Sequence, residues 1–443
     1  MQKCRHPILT LSCAIFLLAI LLFCVKPVWE KVEPTDTAPK GTKGLAYHAL
    51  SDGTYSVSIG SATKAKKIVI PEVYNGKAVT AIADQGFGGA SKLEKITIPD
   101  SVIEIGDFAF NNCSKLSTVK LPPHLVCIGE QAFGGCKALS ELTVPDSVLN
   151  LGEAAFFGCT KLERVTLGDG IAQIGTDVFF GCTKLASVAL PENLTEIGER
   201  AFFGCKALAE LTVPDSVTEI GEAAFSGCAK LERLVLGDGV TVIGAYAFSG
   251  CSSLTVSTLP NALVEIGEFA FSGCAGFELT EHEGVFYVGS EENPHLVAVG
   301  LANRLSAPTV LSLHQSTRIV LYRAFEAIES LIEVDLPDGL VSIGSHAFYR
   351  CENLASLVLP ATLKMIGQDG FRRDPYYNCP NTVLYFEGTA TIEHDLFYVT
   401  IYYNSPTHPN TAADYYWTYV DGEPTLVAIP KPDPPVWEDG SKG

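Results

Sequence analysis

Phenylalanine returns every 23 residues along most of this chain. Phe87, Phe110, Phe133, Phe156, Phe179, Phe202, Phe225, Phe248 and Phe271 share one register, and Phe325, Phe348 and Phe371 resume it after an irregular stretch of 54 residues. Glycine keeps the step at Gly106, Gly129, Gly152, Gly175, Gly198, Gly221, Gly244 and Gly267. Cysteine keeps it at Cys113, Cys136, Cys159, Cys182, Cys205, Cys228, Cys251 and Cys274, and again at Cys351. One such unit cannot bury its own apolar side, whereas a stack of units can, so the period predicts a repeat solenoid. That prediction replaces the two or three globular domains that 443 residues would otherwise suggest. Residues 137–205 also resemble 206–274 at an offset of 69, three units, which points to an internal duplication.

The unit reads in parts. In LERLVL, Leu231, Leu234 and Leu236 follow L-x-x-L-x-L, the pattern of a short strand with leucines turned inward. Pro or Gly ends that strand, as at Pro145, Pro214 and Gly237, usually with Asp or Glu next in a turn. A second alternation, V-x-x-I-G, as at 217–221, returns across the other side. The A-F-x-x-C piece is expected to be one short helical or 3₁₀ turn. Its inward side chains form a structural ladder: Phe110, Phe133, Phe156, Phe202, Phe225 and Phe248 beside the cysteines, which fill a small apolar slot.

The composite L-x-x-L-x-L-P-x-x-V-x-x-I-G-x-x-A-F-x-G-C resembles the BspA-like, or Treponema-type, bacterial leucine-rich repeat. The resemblance implies a right-handed leucine-rich-repeat solenoid, mainly β with short helical or 3₁₀ turns, between β-rich caps. On that reading 45–80 is the N-terminal β cap, 81–276 and 319–371 are repeats, and 277–318 is an irregular module. Residues 372–428, rich in aromatics, form the C-terminal cap, and 429–443 is a disordered tail.

Lys3 and Arg5 precede an uncharged, mostly apolar run of 18 residues from Ile8 to Val25, and the polar stretch 32–44 reads as a linker. Residues 1–31 are thus expected to be an export signal or membrane anchor, near the length of a span. No small-x-small cleavage site follows, which favours an anchor with the remaining chain outside the cell. Phe23 stands where a lipidation signal before Cys24 takes a small residue, which argues against a lipoprotein. The net charge of −19 opposes a phosphate backbone, so nucleic acid is set aside as a partner.

Equivalent cysteines in neighbouring coils point the same way about 5 Å apart, too far for a disulfide, and a line of sulfurs does not converge on zinc. Free buried thiols are expected, with no cofactor or metal. Cys127 and Cys379 fall outside the ladder, on the order of 50 Å apart at the strand spacing, so no bridge within one molecule is expected. Cys127 occupies a slot held elsewhere by Glu104, Asn150, Gln173, Glu196 and Glu219, which predicts exposure and leaves an intermolecular bridge open. The acidic row Asp107, Glu130, Glu153, Glu199, Glu222 and Glu268 could collect calcium. Turn and helix-start chemistry explain those acids more simply.

Repeat proteins usually offer their strand face to partners. Here that face carries Lys95, Lys120, Glu141, Glu163, Arg164, Glu210, Glu232 and Arg233. These are the candidate ligand-binding residues, although only the arginines belong to the hot-spot types. Nine histidines show no HExxH pairing, and no G-x-S-x-G, Walker or dinucleotide motif is present, so no catalytic residues are assigned. The resemblance implies a non-catalytic protein at the outer face of the membrane, or secreted, that binds an extracellular protein or glycan in adhesion. An envelope spacer, or a hydrolase with its site near 374–417, are the alternatives.

Overall fold

The computed structural model describes residues 41–371 other than 355, together with the strands Val383–Phe386, Glu393–His394, Thr400–Tyr403, Tyr415–Val420 and Glu423–Ala428. The expected anchor 1–31, the linker up to residue 40, Cys379, most of the C-terminal cap and the tail 429–443 lie outside the described residues. The chain divides into two compact units, Met1–Ile171 and Ala172–Gly443. Each is a β-solenoid.

The first unit opens on an antiparallel pair, Ala46–Ala49 with Tyr55–Ser58. A second hairpin, Val73–Tyr74 with Lys77–Ile82, turns through Asn75 and Gly76, both at positive φ (50° and 75°). Asn-Gly is the pair that a two-residue hairpin turn favours. From there pairing is parallel and steps one coil at a time. Ala81 pairs Glu104, Glu104 pairs Cys127, and Cys127 pairs Asn150. The leucine-pattern strands form a second row, Lys67–Val69 with Lys95–Thr97 with Thr118–Lys120, and Glu141–Thr143 with Arg164–Thr166.

The second unit repeats the plan. Gln173–Ile174, Glu196–Ile197, Glu219–Ile220, Val242–Ile243 and Glu265–Ile266 pair in parallel, and Glu210–Thr212 pairs Arg233–Val235. The irregular stretch is an antiparallel meander, Thr280–His282, Val285–Val288 and Val297–Leu301. The last strand hands the parallel pattern on to Ile319–Val320, Ser342–Ile343 and Met365–Ile366.

Within each unit the ladder phenylalanines are stacked coil on coil, fully buried except Phe271 at the cavity, which is 9% exposed. Ring centroids are 5.4, 5.1 and 5.6 Å apart from Phe87 through Phe156, and 5.1, 5.1, 5.3 and 5.5 Å apart from Phe179 through Phe271. These spacings are offset-stacked contacts set by the strand spacing. The coils approach closely enough that a Cβ at Gly152 would lie 2.4 Å from the carbonyl carbon of Gly129. Glycine recurs in that column where coil backbones crowd it, as at Gly129, Gly152, Gly221 and Gly244, while Ala83 and Leu321 fill it elsewhere.

The expected helical or 3₁₀ turn at A-F-x-x-C is not there. Among the described residues the one 3₁₀ turn is Arg304–Ser306, in the irregular region. The segment from 108 to 113 alternates instead. The amides of Phe108, Phe110 and Asn112 donate forward to the carbonyls of Glu130, Ala132 and Gly134, while those of Asn111 and Cys113 donate locally to Phe108 and Phe110. A helix would keep every amide in its own turn. Two residues per coil adopt left-handed backbone to make the alternation, Phe108 at φ 57° and Asn112 at φ 58°. The second position is glycine in the next coil, Gly135 at φ 69°, where the absence of a Cβ removes the strain.

Candidate functional site

The strand face carries the residues expected to bind. Lys95, Lys120, Glu141, Glu163 and Arg164 in the first unit, and Glu210, Glu232 and Arg233 in the second, are all exposed. Four of these eight charges pair with one another. Arg164 donates to Glu141 of the strand beside it, and Arg233 to Glu210 across 2.5 Å, each pair in strand register. Lys66 pairs Glu94 at 3.1 Å beside Lys95. A partner would have to displace exposed pairs that are individually worth at most about 1 kcal/mol.

The acidic rows have a structural use. Asp84 accepts the amide of Asp107 at 3.1 Å, and Asp107 accepts that of Glu130 at 3.0 Å. In the turn row of the second unit, Asp215 accepts the amide of Asp238 at 3.0 Å. Each carboxylate thus holds the backbone one coil on. Burial, followed by the fields of Asp84 and Asp107, raises the Glu104 carboxyl above the usual range. Cys127 is half-buried, against the fully exposed place its slot suggested, while Cys113, Cys136, Cys159, Cys182, Cys205, Cys228 and Cys251 are buried free thiols. Cys274 is half-buried at the end of its run.

A different row carries ring systems. The residue two before each ladder phenylalanine is left-handed throughout: in the second unit Asp177, Arg200, Ala223, Tyr246, Phe269, Arg323, His346 and Asp369 all have φ between 50° and 58°. Bulky side chains are disfavoured there by about 1 kcal/mol or more each. The column nevertheless holds an Arg200–Asp177 pair, with Nε to Oδ1 and a terminal nitrogen to Oδ2 both at 2.9 Å, and then a line of rings. Tyr246, which is exposed, stacks on Phe269 at 5.1 Å, and Phe269 meets Tyr322 at 4.4 Å. Tyr322 meets His346 at 5.9 Å, and His346 meets Tyr349 at 5.2 Å. The Arg323 guanidinium lies 5.1 Å from the centre of the Tyr322 ring and 6.0 Å from that of Phe269, within cation–π range.

The irregular module interrupts the coil stack beside Phe269. The missing rung leaves a cavity of about 300 Å³ lined by Gly267, Phe269, Ala270, Phe271, Ser272, Phe277, Leu321 and Tyr322. It is apolar and open to the surface, and Tyr246 and Arg323 contact its lining rings Phe269 and Tyr322. A concave apolar site with a few polar groups at its rim is the usual form of a binding site. Repeating residues do not reveal this site, because its column varies from coil to coil. The signal was large side chains at a turn position whose neighbouring column is almost all glycine.

Parallel coils of this period with inward leucines define a leucine-rich-repeat scaffold. The chain belongs to the BspA type Leucine rich repeat region family, whose model matches in 6 copies over residues 80–202, 173–290 and 306–414. No curated protein matches the chain. Among solved structures, a leucine-rich repeat protein from Bacteroides ovatus is 26% identical, over 82% of this chain and 90% of its own, with a TM-score of 0.40. The T. pallidum Leucine Rich Repeat protein is 30% identical, over 43% of this chain and 89% of its own, at 0.41. A leucine rich cell surface protein from Faecalibacterium prausnitzii is 18% identical, over 84% and 96%, at 0.36. The similar proteins are repeat proteins, and no catalytic family is among them.

Proposed function

We propose that this is a non-catalytic recognition protein of the cell surface, exported on its N-terminal apolar segment, that binds an extracellular protein or glycan and serves in adhesion. The observation that carries the reading is the ring row of the second unit with its cavity. Tyr246 and Phe269 occupy a left-handed position common to every coil, so what sets them apart is the run of large rings beside an open apolar cavity. Apolar ring surface open to solvent is what a partner's side chain or a sugar face can cover. The strand face, with Glu141–Arg164 and Glu210–Arg233 internally paired, is the weaker contact and would extend the first one.

The test is full-length protein in detergent on an array of glycans and matrix proteins. It is run beside a ring variant, Tyr246→Ala with Tyr322→Ala, and a strand-face variant, Glu163→Ala, Arg164→Ala, Glu232→Ala and Arg233→Ala. Saturable binding lost in the ring variant supports the reading, and loss only in the strand-face variant moves the contact to the strands. Binding to nothing on the array sinks recognition and leaves an envelope spacer.

A further inference from the structure

We propose that His282, His295 and His314 form an acid-sensitive latch on the irregular module, closing it near neutral pH and releasing it, with the wall of the Phe269–Tyr322 cavity, when the cluster is protonated. The regulatory part rests on that cavity being the contact site. The latch itself rests on the arrangement of the three rings.

The imidazoles come from three segments. His282 ends the strand Thr280–His282, His295 precedes Val297–Leu301, and His314 follows Val310–Ser312. Ring centroids are 4.0 Å apart for His295 and His314, 4.9 Å for His282 and His314, and 5.2 Å for His282 and His295. No group of three or more His, Cys, Asp or Glu among the described residues is arranged to hold a metal ion. The cluster is therefore read through its protons.

Hydrogen bonds tie the cluster into the module. His314 Nδ1 accepts the amide of Ser316 at 3.1 Å and has Ser316 Oγ 2.9 Å away. Ser316 Oγ donates to Asn293 Oδ1 at 2.7 Å, and Asn293 Nδ2 donates back to the Ser316 carbonyl at 2.9 Å. The hydroxyl of Thr317 donates to the His295 carbonyl at 3.0 Å, and the His314 amide donates to Tyr287 Oη at 3.1 Å. A proton on His314 Nδ1 meets the Ser316 amide but has Ser316 Oγ, whose own hydrogen goes to Asn293, as an acceptor at 2.9 Å, so this contact does not by itself oppose a charged ring. A proton on His295 places charge against a ring 4.0 Å away.

The surroundings offer little compensation. Tyr287 packs edge-on to His295 at 5.1 Å, and Glu283 is the carboxylate whose field reaches that tyrosine. Elsewhere in the module, Glu292 accepts from the Asn261 side chain at 3.1 Å, and Arg318 donates to the Asn261 carbonyl at 3.1 Å. Burial first, then His314 and His282, lower the His295 pKa below its ordinary value. The sign follows. The closed module prefers neutral His295, whereas the opened one titrates near the ordinary value of about 6.5, so the open form takes up more protons as pH falls through that value. Above about pH 7 the latch costs nothing.

The cavity is joined to the latch by backbone. Phe277 lies just ahead of the His282 strand, and Leu321 and Tyr322 directly follow Ile319–Val320, which pairs with the strand after His295.

The experiment is hydrogen exchange on the full-length protein at about pH 7.5 and about pH 5.5, corrected for the intrinsic pH dependence of exchange. Residues 277–318 are compared with the coils at 210–236. Exchange in the module is expected to rise severalfold at the lower pH relative to those coils, and the rise should vanish in His295→Gln with His314→Gln. Unchanged protection in the wild-type protein overturns the latch without recourse to any variant, as does an equal rise in the variant. If the module opens while a partner found on the array stays bound at the lower pH, the latch stands and the cavity is not the contact site.

Discussion

The thiol of Cys136 donates to the carbonyl oxygen of Phe110, one coil back, across 3.3 Å. The contact recurs from Cys159 to Phe133 at 3.2 Å, Cys228 to Phe202 at 3.4 Å and Cys251 to Phe225 at 3.3 Å. The Phe110 carbonyl also accepts the amide of Cys113 at 3.0 Å, so the thiol uses its second lone pair. Cysteine recurs because the slot asks for three things together: small volume, an apolar body and a weak donor.

Replacing Cys136 separates these demands. Cys136→Ala loses the thiol contact and leaves a small void, and should cost about 1 kcal/mol. Cys136→Val adds volume between Cys113 and Cys159 and should cost more, about 1–3 kcal/mol. The midpoint of urea unfolding reads both. Valine tolerated as well as alanine would mean that the slot is not closed.

The same burial makes the ladder unreactive. It pushes the thiol of Cys113 up to about 11 and that of Cys159 up to about 12. Only the thiolate is a nucleophile, so almost none is present near neutral pH. Iodoacetamide applied to the native protein at about pH 8 should label half-buried Cys127 and spare Cys136 and Cys159, with all of them labelled after unfolding. Peptide mass spectrometry gives the answer, and rapid native labelling of Cys159 would contradict the packing.

At Ala223 the usual rank of alanine over glycine should reverse. Its φ is 52°, where a Cβ is strained and glycine is not. Ala223→Gly is therefore expected to be neutral or to stabilise by up to about 1 kcal/mol, the opposite of what the change does in ordinary backbone. A loss of 1 kcal/mol or so in denaturant unfolding would show that this turn is not held left-handed in solution.

The repeat and its inward face were legible because the Phe, Gly and Cys columns recur at one spacing, and a recurring residue reports a recurring environment. The turn was misread for a physical reason. A-F-x-x-C carries no proline or obligate glycine at its first left-handed position, so Phe108, Gln131 or Tyr246 gave no local sign of positive φ. Only the inter-coil amides, such as Phe110 to Ala132, impose it. The ring row was invisible for a related reason, since Tyr246, Phe269 and Tyr322 are brought together by the stacking of different coils and by the meander between Phe277 and Val297. The strand-face charges were legible as exposed residues. Their pairing, Glu210 with Arg233, follows from the 23-residue register alone and could have been read from it.

Removing a rung tests whether stability travels along the stack. Phe225 lies between Phe202 and Phe248 at 5.1 and 5.3 Å, fully buried, so Phe225→Ala opens a cavity that neither neighbour can fill and should cost about 3–5 kcal/mol. In a solenoid each coil contacts only its neighbours, and the loss should stay local. Hydrogen exchange should therefore rise in the strands Glu196–Ile197, Glu219–Ile220 and Val242–Ile243, while Val285–Val288 keeps its protection. A rise of equal size in Val285–Val288 would mean that the second unit unfolds as one body and that the nearest-neighbour picture fails for it.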